Sequence, residues 1–465
     1  MPHVIVLLPG IGGSRLAKDG QDLWAFRPGA IGRGLLSLGR NLEQLALTDD
    51  SWEVDDLGDG IEPVAPITDV HIIPGLWKID GYEKIAAELH AAFDLRQGEN
   101  YFDFAYDWRR DNRVAARGLA RQAHTWLKNR RERGYPDAKL VLIGHSMGGI
   151  VARTFLELFD GWKDTAMLVT FGTPYGGSVK ALDVLANGFT KRLGPVMLVD
   201  LTDMLRSFTS VYQLLPIFRC IEQPDGTLVH LADASEVPNL DPSKVAAARH
   251  FHAELRSQVD DHRNTDYAGT GGYDLRPIVG HFQPTLQSAR ITGGLVESLL
   301  HRGGADEGGD GTVPMMSAMP HEHLQDRANV TFAAERHASL QNFDPVLVQL
   351  RALLRGHPAD PAMYYAITTR VSLDVEDAYL GREPVVIRAR PEVAGVSLVA
   401  TVIDVRSGAV AVRRPLEGVD EGGWQEVRLG GVPPGDYRVT VSGGPGVDPV
   451  TDIFTVLDPA LLTAG

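Results

Sequence analysis

Val141-Leu142-Ile143-Gly144-His145-Ser146-Met147-Gly148-Gly149 is an apolar run that ends in Gly-x-Ser-x-Gly, and Ile150-Val151-Ala152-Arg153 continues it with helical spacing. A strand that passes straight into a helix through this motif makes a sharp turn and lifts the serine hydroxyl above the sheet edge. The glycines two before and two after Ser146 leave room for backbone packed too closely for a Cβ. The helix points its N-terminus at the same place, where its N–H groups stabilise negative charge. Alone, the motif would also suit an ordinary glycine-rich turn. With a buried strand before it and an amphipathic helix after it, Ser146 reads as a nucleophile.

On both sides of this run, from Met1 to about Pro358, apolar strands alternate with helical patterns. Val4–Leu8, Phe102–Ala105, Leu140–Ile143 and Met167–Phe171 are short continuous apolar runs, as strands covered on both faces should be. Between them, Tyr82–Phe93, Val114–Arg133 and Ile150–Phe159 carry apolar spacing near 3.6. This alternation predicts an α/β fold with a parallel sheet covered by helices, of α/β-hydrolase type. Asp19-Gly20 predicts an inserted hairpin, and Asp59-Gly60 marks a second candidate. Residues 179–276 break the alternation and are expected to form a cap above Ser146 that binds an apolar substrate; a purely structural subdomain is the alternative. A catalytic domain is thus expected over 1–360. From about Met363 the pattern changes to some seven short alternating runs: Val371–Val375, Val385–Ala389, Val396–Val405, Ala409–Val412, Trp424–Leu429, Tyr437–Val441 and Thr451–Val456. Gly/Pro turns separate them, which predicts an immunoglobulin-like β-sandwich over 361–465. It holds no catalytic cluster. It reads as a binding, spacing or oligomerisation module, or as one that only stabilises the enzyme.

At 465 residues with 44% hydrophobic content, the chain can bury a large core in more than one domain. A net charge of −15 argues against a nucleic-acid partner. The single cysteine, Cys220, allows no intramolecular disulfide and points to a reducing, cytoplasmic setting. It follows the apolar Leu214-Leu215-Pro216-Ile217-Phe218, so a buried, inert thiol is expected. Met1 to Leu8 reads as a core strand without a basic n-region, so no signal peptide is expected, and no run of 18 apolar residues predicts a transmembrane helix.

A serine hydroxyl needs an adjacent base, and the base an orienting acid. In this fold the chain order is Ser, then Asp or Glu, then His. Asp310, in Gly308-Gly309-Asp310-Gly311-Thr312-Val313-Pro314, is the expected acid, with Asp306 as the fallback. His337 is the expected base: the strand Val330–Ala333 precedes it and the helical pattern Pro345–Leu354 follows, which puts it on the same rim as Ser146. His321 and His323 compete for that role but read as surface residues. Their His-Glu-His spacing has no further ligand cluster, so no metal is expected. His145 is tied to the elbow and is a poor base. The oxyanion needs two backbone donors. Met147 N–H is one. The glycine-rich loop Pro9-Gly10-Ile11-Gly12-Gly13-Ser14 offers Ile11 N–H, with Gly12 next, unless that loop is only a tight turn.

Six motifs now stand in one order: Pro9-Gly10-Ile11-Gly12-Gly13-Ser14, Tyr106-Asp107-Trp108-Arg109, Gly144-His145-Ser146-Met147-Gly148-Gly149, Thr173-Pro174-Tyr175-Gly176-Gly177-Ser178, Val211-Tyr212-Gln213-Leu214-Leu215-Pro216 and Gly309-Asp310-Gly311-Thr312-Val313. Together they resemble the lecithin:cholesterol acyltransferase and lysosomal phospholipase A2 family of α/β-hydrolases, from about Val4 to Leu354. The resemblance implies Ser146 as nucleophile, Asp310 as acid, His337 as base and Ile11 as an oxyanion donor. It gives Asp107 and Arg109 a structural role, ordering loops near the site. It implies a serine lipid acyl hydrolase working through an acyl-enzyme on Ser146, without a cofactor, and as an alternative a lipid O-acyltransferase of the same mechanism. Its partners would be a lipid ester and the membrane surface at its periphery; the C-terminal domain, read from its own strands, adds a protein as an expected partner. Secreted and lysosomal members carry a signal peptide, disulfides and no such β-sandwich, so the chain looks like an intracellular, bacterial-type relative. An alternative of another class is a non-catalytic lipid- or protein-binding module that works through the sandwich.

Overall fold

The computed structural model describes residues 1–24, 42–73, 77–193, 196–234, 237–265, 267, 272–356 and 368–458. In chain order the elements are β1 (Val4–Leu8), β2 (Ser14–Lys18), β3 (Gln21–Trp24), β4 (Ile61–Pro66), β5 (Val70–Ile73), β6 (Trp77–Asp80), α1 (Glu83–Ala92), β7 (Tyr101–Asp103), α2 (Asn112–Glu132), β8 (Leu140–His145), α3 (Met147–Leu158) and β9 (Thr165–Phe171). Next come α4 (Val179–Asn187), β10 (Thr190–Leu193), β11 (Val196–Asp200), α5 (Thr202–Ser207), α6 (Thr209–Tyr212), β12 (Arg219–Glu222), β13 (Leu228–His230) and α7 (Pro242–Asn264). β14 (Asp274–Gly280), β15 (Ser288–Thr292), β16 (Leu295–Leu299), β17 (Thr331–Ala333) and α8 (Asp344–Leu354) follow. The remaining strands are β18 (Val371–Val375), β19 (Ala378–Leu380), β20 (Val385–Pro391), β21 (Val399–Asp404), β22 (Val410–Pro415), β23 (Gln425–Leu429), β24 (Gly435–Ser442) and β25 (Val450–Leu457).

Six of these strands form one sheet in the order β17-β14-β9-β8-β1-β7, and every pairing in it is parallel. Every residue of β1 and β8 is buried, because helices cover both faces. The period-2 alternation divides the core in two. Val4, Val6, Leu8, Leu140 and Leu142 face α2 and α3, through residues such as Leu119 and Ile150. Ile5, Leu7, Val141 and Ile143 face α1 and α8, through Ile85, Leu89, Val346 and Leu350. Each such side chain contributes roughly 2 kcal/mol on burial. The chain reverses its winding at β1, with β7 on one side and β8 on the other. Sites in open α/β sheets form at the carboxyl ends of strands at such a switch point. The glycine loop leaves β1 there and Ser146 leaves β8, as in an α/β-hydrolase.

The Asp19-Gly20 turn closes β2 onto β3. Asp59-Gly60 makes no hairpin: it leads into β4, which pairs with β2. Gly60 uses its positive φ of 74°, while the Asp59 side chain caps Ile61 N–H and reaches Arg109. The hairpin in this region is instead β5–β6. Within 179–276, α4, α5 and α6 pack on one another, while β12 and β13 join β15 and β16 from beyond residue 276 in one four-stranded sheet.

Among the described residues the C-terminal region has eight strands. β18-β20-β23 and β19-β25-β24-β21-β22 form two sheets that share one core, with Leu373 and Ile387 from the first meeting Val402, Val439 and Phe454 from the second. Tyr437 Oη donates to Pro433 O at 2.7 Å, pinning the chain where it enters β24. The expected boundary at residues 360 and 361 lies outside the described residues.

Candidate active site

Ser146 sits between β8 and α3 with φ 53° and ψ −127°, a conformation that a side-chain-bearing residue holds only under external constraint. The constraint is visible. Ser146 N–H donates to Phe171 O at 2.8 Å, and Ser146 O accepts from Gly149 N–H at 3.0 Å and Thr173 Oγ1 at 2.9 Å. A Cβ on Gly144 would lie 2.7 Å from Gly149 Cα, so the glycine pair lets strand and helix touch at the turn.

Asp310 and His337 reach the same point from the loops before and after β17. His337 Nε2 lies 3.0 Å from Ser146 Oγ, and Nδ1 lies 2.7 Å from Asp310 Oδ2. A carboxylate facing the ring requires the Nδ1–H tautomer, which leaves Nε2 to accept from the serine hydroxyl. Asp310 Oδ1 accepts from Thr312 N–H at 2.9 Å and Val313 N–H at 2.7 Å, so the side chain cannot swing away. His337 N–H also donates to Asp310 O at 2.8 Å. The other candidates lie elsewhere. Asp306 accepts from Gln287 Nε2 and Gly308 N–H. His321 pairs with the exposed Asp260 at 2.8 Å, and His323 borders a second cavity with Arg153 and Glu322.

The loop after β1 brings Ile11 to the cavity, whereas Gly12 does not border it. Among the described residues no protein acceptor meets the N–H of Ile11 or of Met147, the first residue of α3. Tyr106 Oη donates to Pro9 O at 2.7 Å, Trp108 Nε1 to Ser14 O at 2.9 Å, and Ser14 Oγ accepts from Tyr106 N–H. Arg109, fully buried, bridges Asp107, Asp59 and Leu45 O. The Tyr-Asp-Trp-Arg segment therefore moulds the loop beside Ser146.

His145 occupies a place that the sequence does not reveal. Its Nε2 lies 3.0 Å from His337 O, an atom that only accepts, so Nε2 carries the proton. Nδ1 then accepts from Tyr82 Oη at 2.8 Å, and Tyr82 Oη accepts from Gly10 N–H at 2.8 Å. This chain ties the His337 backbone to the loop carrying Ile11. Burial, with His337 nearby, lowers the His145 pKa to about 3, so it stays neutral. Tyr82 carries no sequence signal, because it reads as one more apolar residue of the α1 pattern.

A cavity of about 1040 Å³, counted to its open mouth, surrounds Ser146. Ala181, Val184, Leu205, Val211 and Leu214 line it from the 179–276 region, opposite Ile11 and Val313. Cys220 is buried away from it, and burial pushes its thiol up to about 12. Among the described residues no group of three His, Cys, Asp or Glu side chains could hold a metal ion, and no helix is long and apolar enough to cross a membrane.

Residues 74–260 match the family model of lecithin:cholesterol acyltransferase. That segment is lecithin:cholesterol acyltransferase-like. It carries Ser146 but ends before Asp310 and His337. The human lysosomal phospholipase A and acyltransferase is 30% identical to this chain over 149 residues, 31% of this chain and 35% of that protein. The chicken phosphatidylcholine-sterol acyltransferase is 35% identical over 81 residues, 17% of this chain and 20% of that protein. The chain thus matches about a third or less of the length of these relatives. Among solved structures, the Tle4–Tli4 complex gives a TM-score of 0.46 at 15% identity, over 76% of this chain and 97% of that one. Mature Bacillus licheniformis lipase BlEst2 gives 0.31 at 16% identity, over 75% and 91%. The strand order, not these distant likenesses, carries the fold assignment.

Proposed function

We propose that the protein is a serine lipid acyl hydrolase that cleaves carboxylic esters through an acyl-enzyme on Ser146. The observation that carries this is the line Ser146 Oγ, His337 Nε2, His337 Nδ1, Asp310 Oδ2, with spacings of 3.0 and 2.7 Å beneath an apolar cavity. His337 takes the proton as Ser146 Oγ bonds to the ester carbonyl carbon. The tetrahedral oxyanion faces the N–H groups of Ile11 and Met147. His337 returns the proton to the departing alkoxide, and water then attacks the acyl carbon, passing its proton to His337 and releasing acid and Ser146. The name of the human relative pairs phospholipase with acyltransferase. Transfer needs only an alcohol in place of water, so it is the second reading.

The catalytic unit over 1–360, with its cap over 179–276, belongs to this proposal, as does the C-terminal unit. The strand order of the two C-terminal sheets and the Tyr437 hydrogen bond support an immunoglobulin-like sandwich there. The lone cysteine favours a reducing compartment such as the cytoplasm. A chromogenic short-chain ester and a fluorophosphonate probe test the enzyme reading. Turnover, with the probe on Ser146, is expected. Absence of both would leave the non-catalytic binding reading standing.

A further inference from the structure

Asp310 and His337 stand on loops, the first between β16 and β17 and the second between β17 and α8. A loop holds a position only as well as its surroundings fix it, and an error of about 1 Å in a reacting pair costs up to roughly 10²-fold in rate. Gln283 lies between the two loops, almost wholly buried, and does not border the cavity. Its backbone N–H donates to Gly309 O at 2.9 Å, next to Asp310. Its side chain turns to the C-terminal region. Nε2 donates to Val371 O at 3.0 Å, and Oε1 accepts from Leu373 N–H at 3.0 Å. Nε2 also reaches Ala334 O at 3.4 Å, in the segment that leads to His337. β18 is an edge strand, so one side of it carries backbone groups that β20 does not take. The Gln283 amide meets that side as a neighbouring peptide unit would. Ser372 Oγ donates to Phe282 O at 2.6 Å, and Arg336 Nη1 donates to Leu373 O at 2.9 Å. The Arg336 guanidinium lies against Gly311, where an added Cβ would come within 3.1 Å of its Cζ. Gly311 N–H donates to Thr285 Oγ1 at 2.8 Å, and Thr285 Oγ1 donates to Gln283 O at 2.7 Å. Residues 282–285 therefore touch the acid loop, the base loop and β18 together. A buried, satisfied polar group specifies one geometry, where apolar contacts alone would allow sliding.

We propose that Gln283 is a positioning residue for the Asp310–His337 pair, and that β18 of the C-terminal region is the template against which it sets the acid and base loops. The inference rests on the serine hydrolase reading above. It gives β18 a part in the reaction although none of its residues borders the cavity. Asp452 supports the same arrangement from the last strand, because its Oδ2 lies 3.1 Å from Arg336 Nε and steadies the guanidinium beside Gly311. The C-terminal region is then a working part of the active site rather than a module that only adds stability.

The test compares full-length wild type, Gln283→Met, Ser372→Ala and Tyr437→Phe on p-nitrophenyl butyrate. Methionine keeps the length and burial of the side chain and removes its amide. Gln283→Met is expected to lower kcat by roughly tenfold or more with KM within about twofold, and Ser372→Ala to lower it by roughly threefold. Tyr437→Phe removes a hydrogen bond within the C-terminal region that touches neither loop. It should lower the urea midpoint and leave kcat within about twofold. The low-field proton resonance of His337 Nδ1–H, assigned by its loss in His337→Ala, is the second readout, and it should broaden or vanish in Gln283→Met. Equal kcat losses in Gln283→Met and Tyr437→Phe overturn the proposal, as does an unchanged kcat in both Gln283→Met and Ser372→Ala. If Gln283→Met does not fold, Ser372→Ala decides by the same two readouts. Wild-type turnover and fluorophosphonate labelling of Ser146 report the hydrolase reading separately. If that reading fails, the resonance still decides: a signal present in wild type and lost in Gln283→Met supports the positioning role, and a signal equal in both or absent from wild type overturns it.

Discussion

His337 is the residue on which the proposed chemistry turns, because one ring joins Ser146 to Asp310. His337→Ala is expected to lower kcat by roughly 10⁴-fold or more, while His321→Ala and His323→Ala stay within about twofold. Assay of the three variants on one chromogenic ester checks this, and activity surviving His337→Ala would assign the base elsewhere. His145 affects stability instead. Its pKa is about 3 in the folded protein and near 6.5 when exposed, so between those values the unfolded chain binds the extra proton. The stability it contributes is present above about pH 6.5 and is lost as pH falls, by about 3 kcal/mol at pH 4. His281, lowered to about 4, acts in the same direction, while Glu335, whose buried carboxyl is raised, acts in the opposite one. Urea midpoints between pH 6.5 and 4 should therefore fall more steeply for wild type than for His145→Asn, and equal slopes would refute the assignment. The convergence of Ser146, Asp310 and His337 was legible in the sequence because each sits in a strand-end turn with strong local composition. The Tyr82–His145 chain was not, since two side chains separated by 63 residues meet only after β6 and β8 are placed.

At the scale of elements, the turn after β9 holds the line together. Gly172 has φ 54°, and a Cβ there would lie 2.8 Å from Asp310 Oδ2 and 2.9 Å from His337 Nδ1. Gly172→Ala should wedge a methyl group into the acid–base contact and lower kcat by roughly 10²-fold, with KM little changed. Unaltered steady-state kinetics would show that this contact tolerates displacement. The core strands could be read from sequence because burial on both faces leaves them continuously apolar. Short edge elements could not. β5–β6 and β19 lack the length for a period to show, and Asp59-Gly60 satisfied a hairpin rule while serving a different backbone need. Gly60 requires only the positive φ, and the Asp59 carboxylate is drawn to Arg109.

For the whole molecule, the decisive contact is the charged seam between the parallel-sheet region and the C-terminal strands. Asp452 is almost fully buried and takes both Lys78 and Arg336 on one oxygen. Asp452→Asn leaves these cations short of a counter-charge and is expected to cost about 3 kcal/mol of stability. Equilibrium unfolding in urea checks this, and a change below about 0.5 kcal/mol would show that the seam is dispensable. Sequence alone determined the α/β-hydrolase core, an all-β C-terminal region and the place of Ser146 in the sharp turn at the strand end. Each of these is written in local periodicity and turn chemistry, which a short window contains. Tertiary structure alone decided that Tyr82 and His145 join the His337 backbone to the loop after β1, and that aspartates from the C-terminal region reach the cavity beside Ser146. Those are contacts between residues far apart in the chain, whose pairing depends on how whole sheets pack and on which charges are desolvated together.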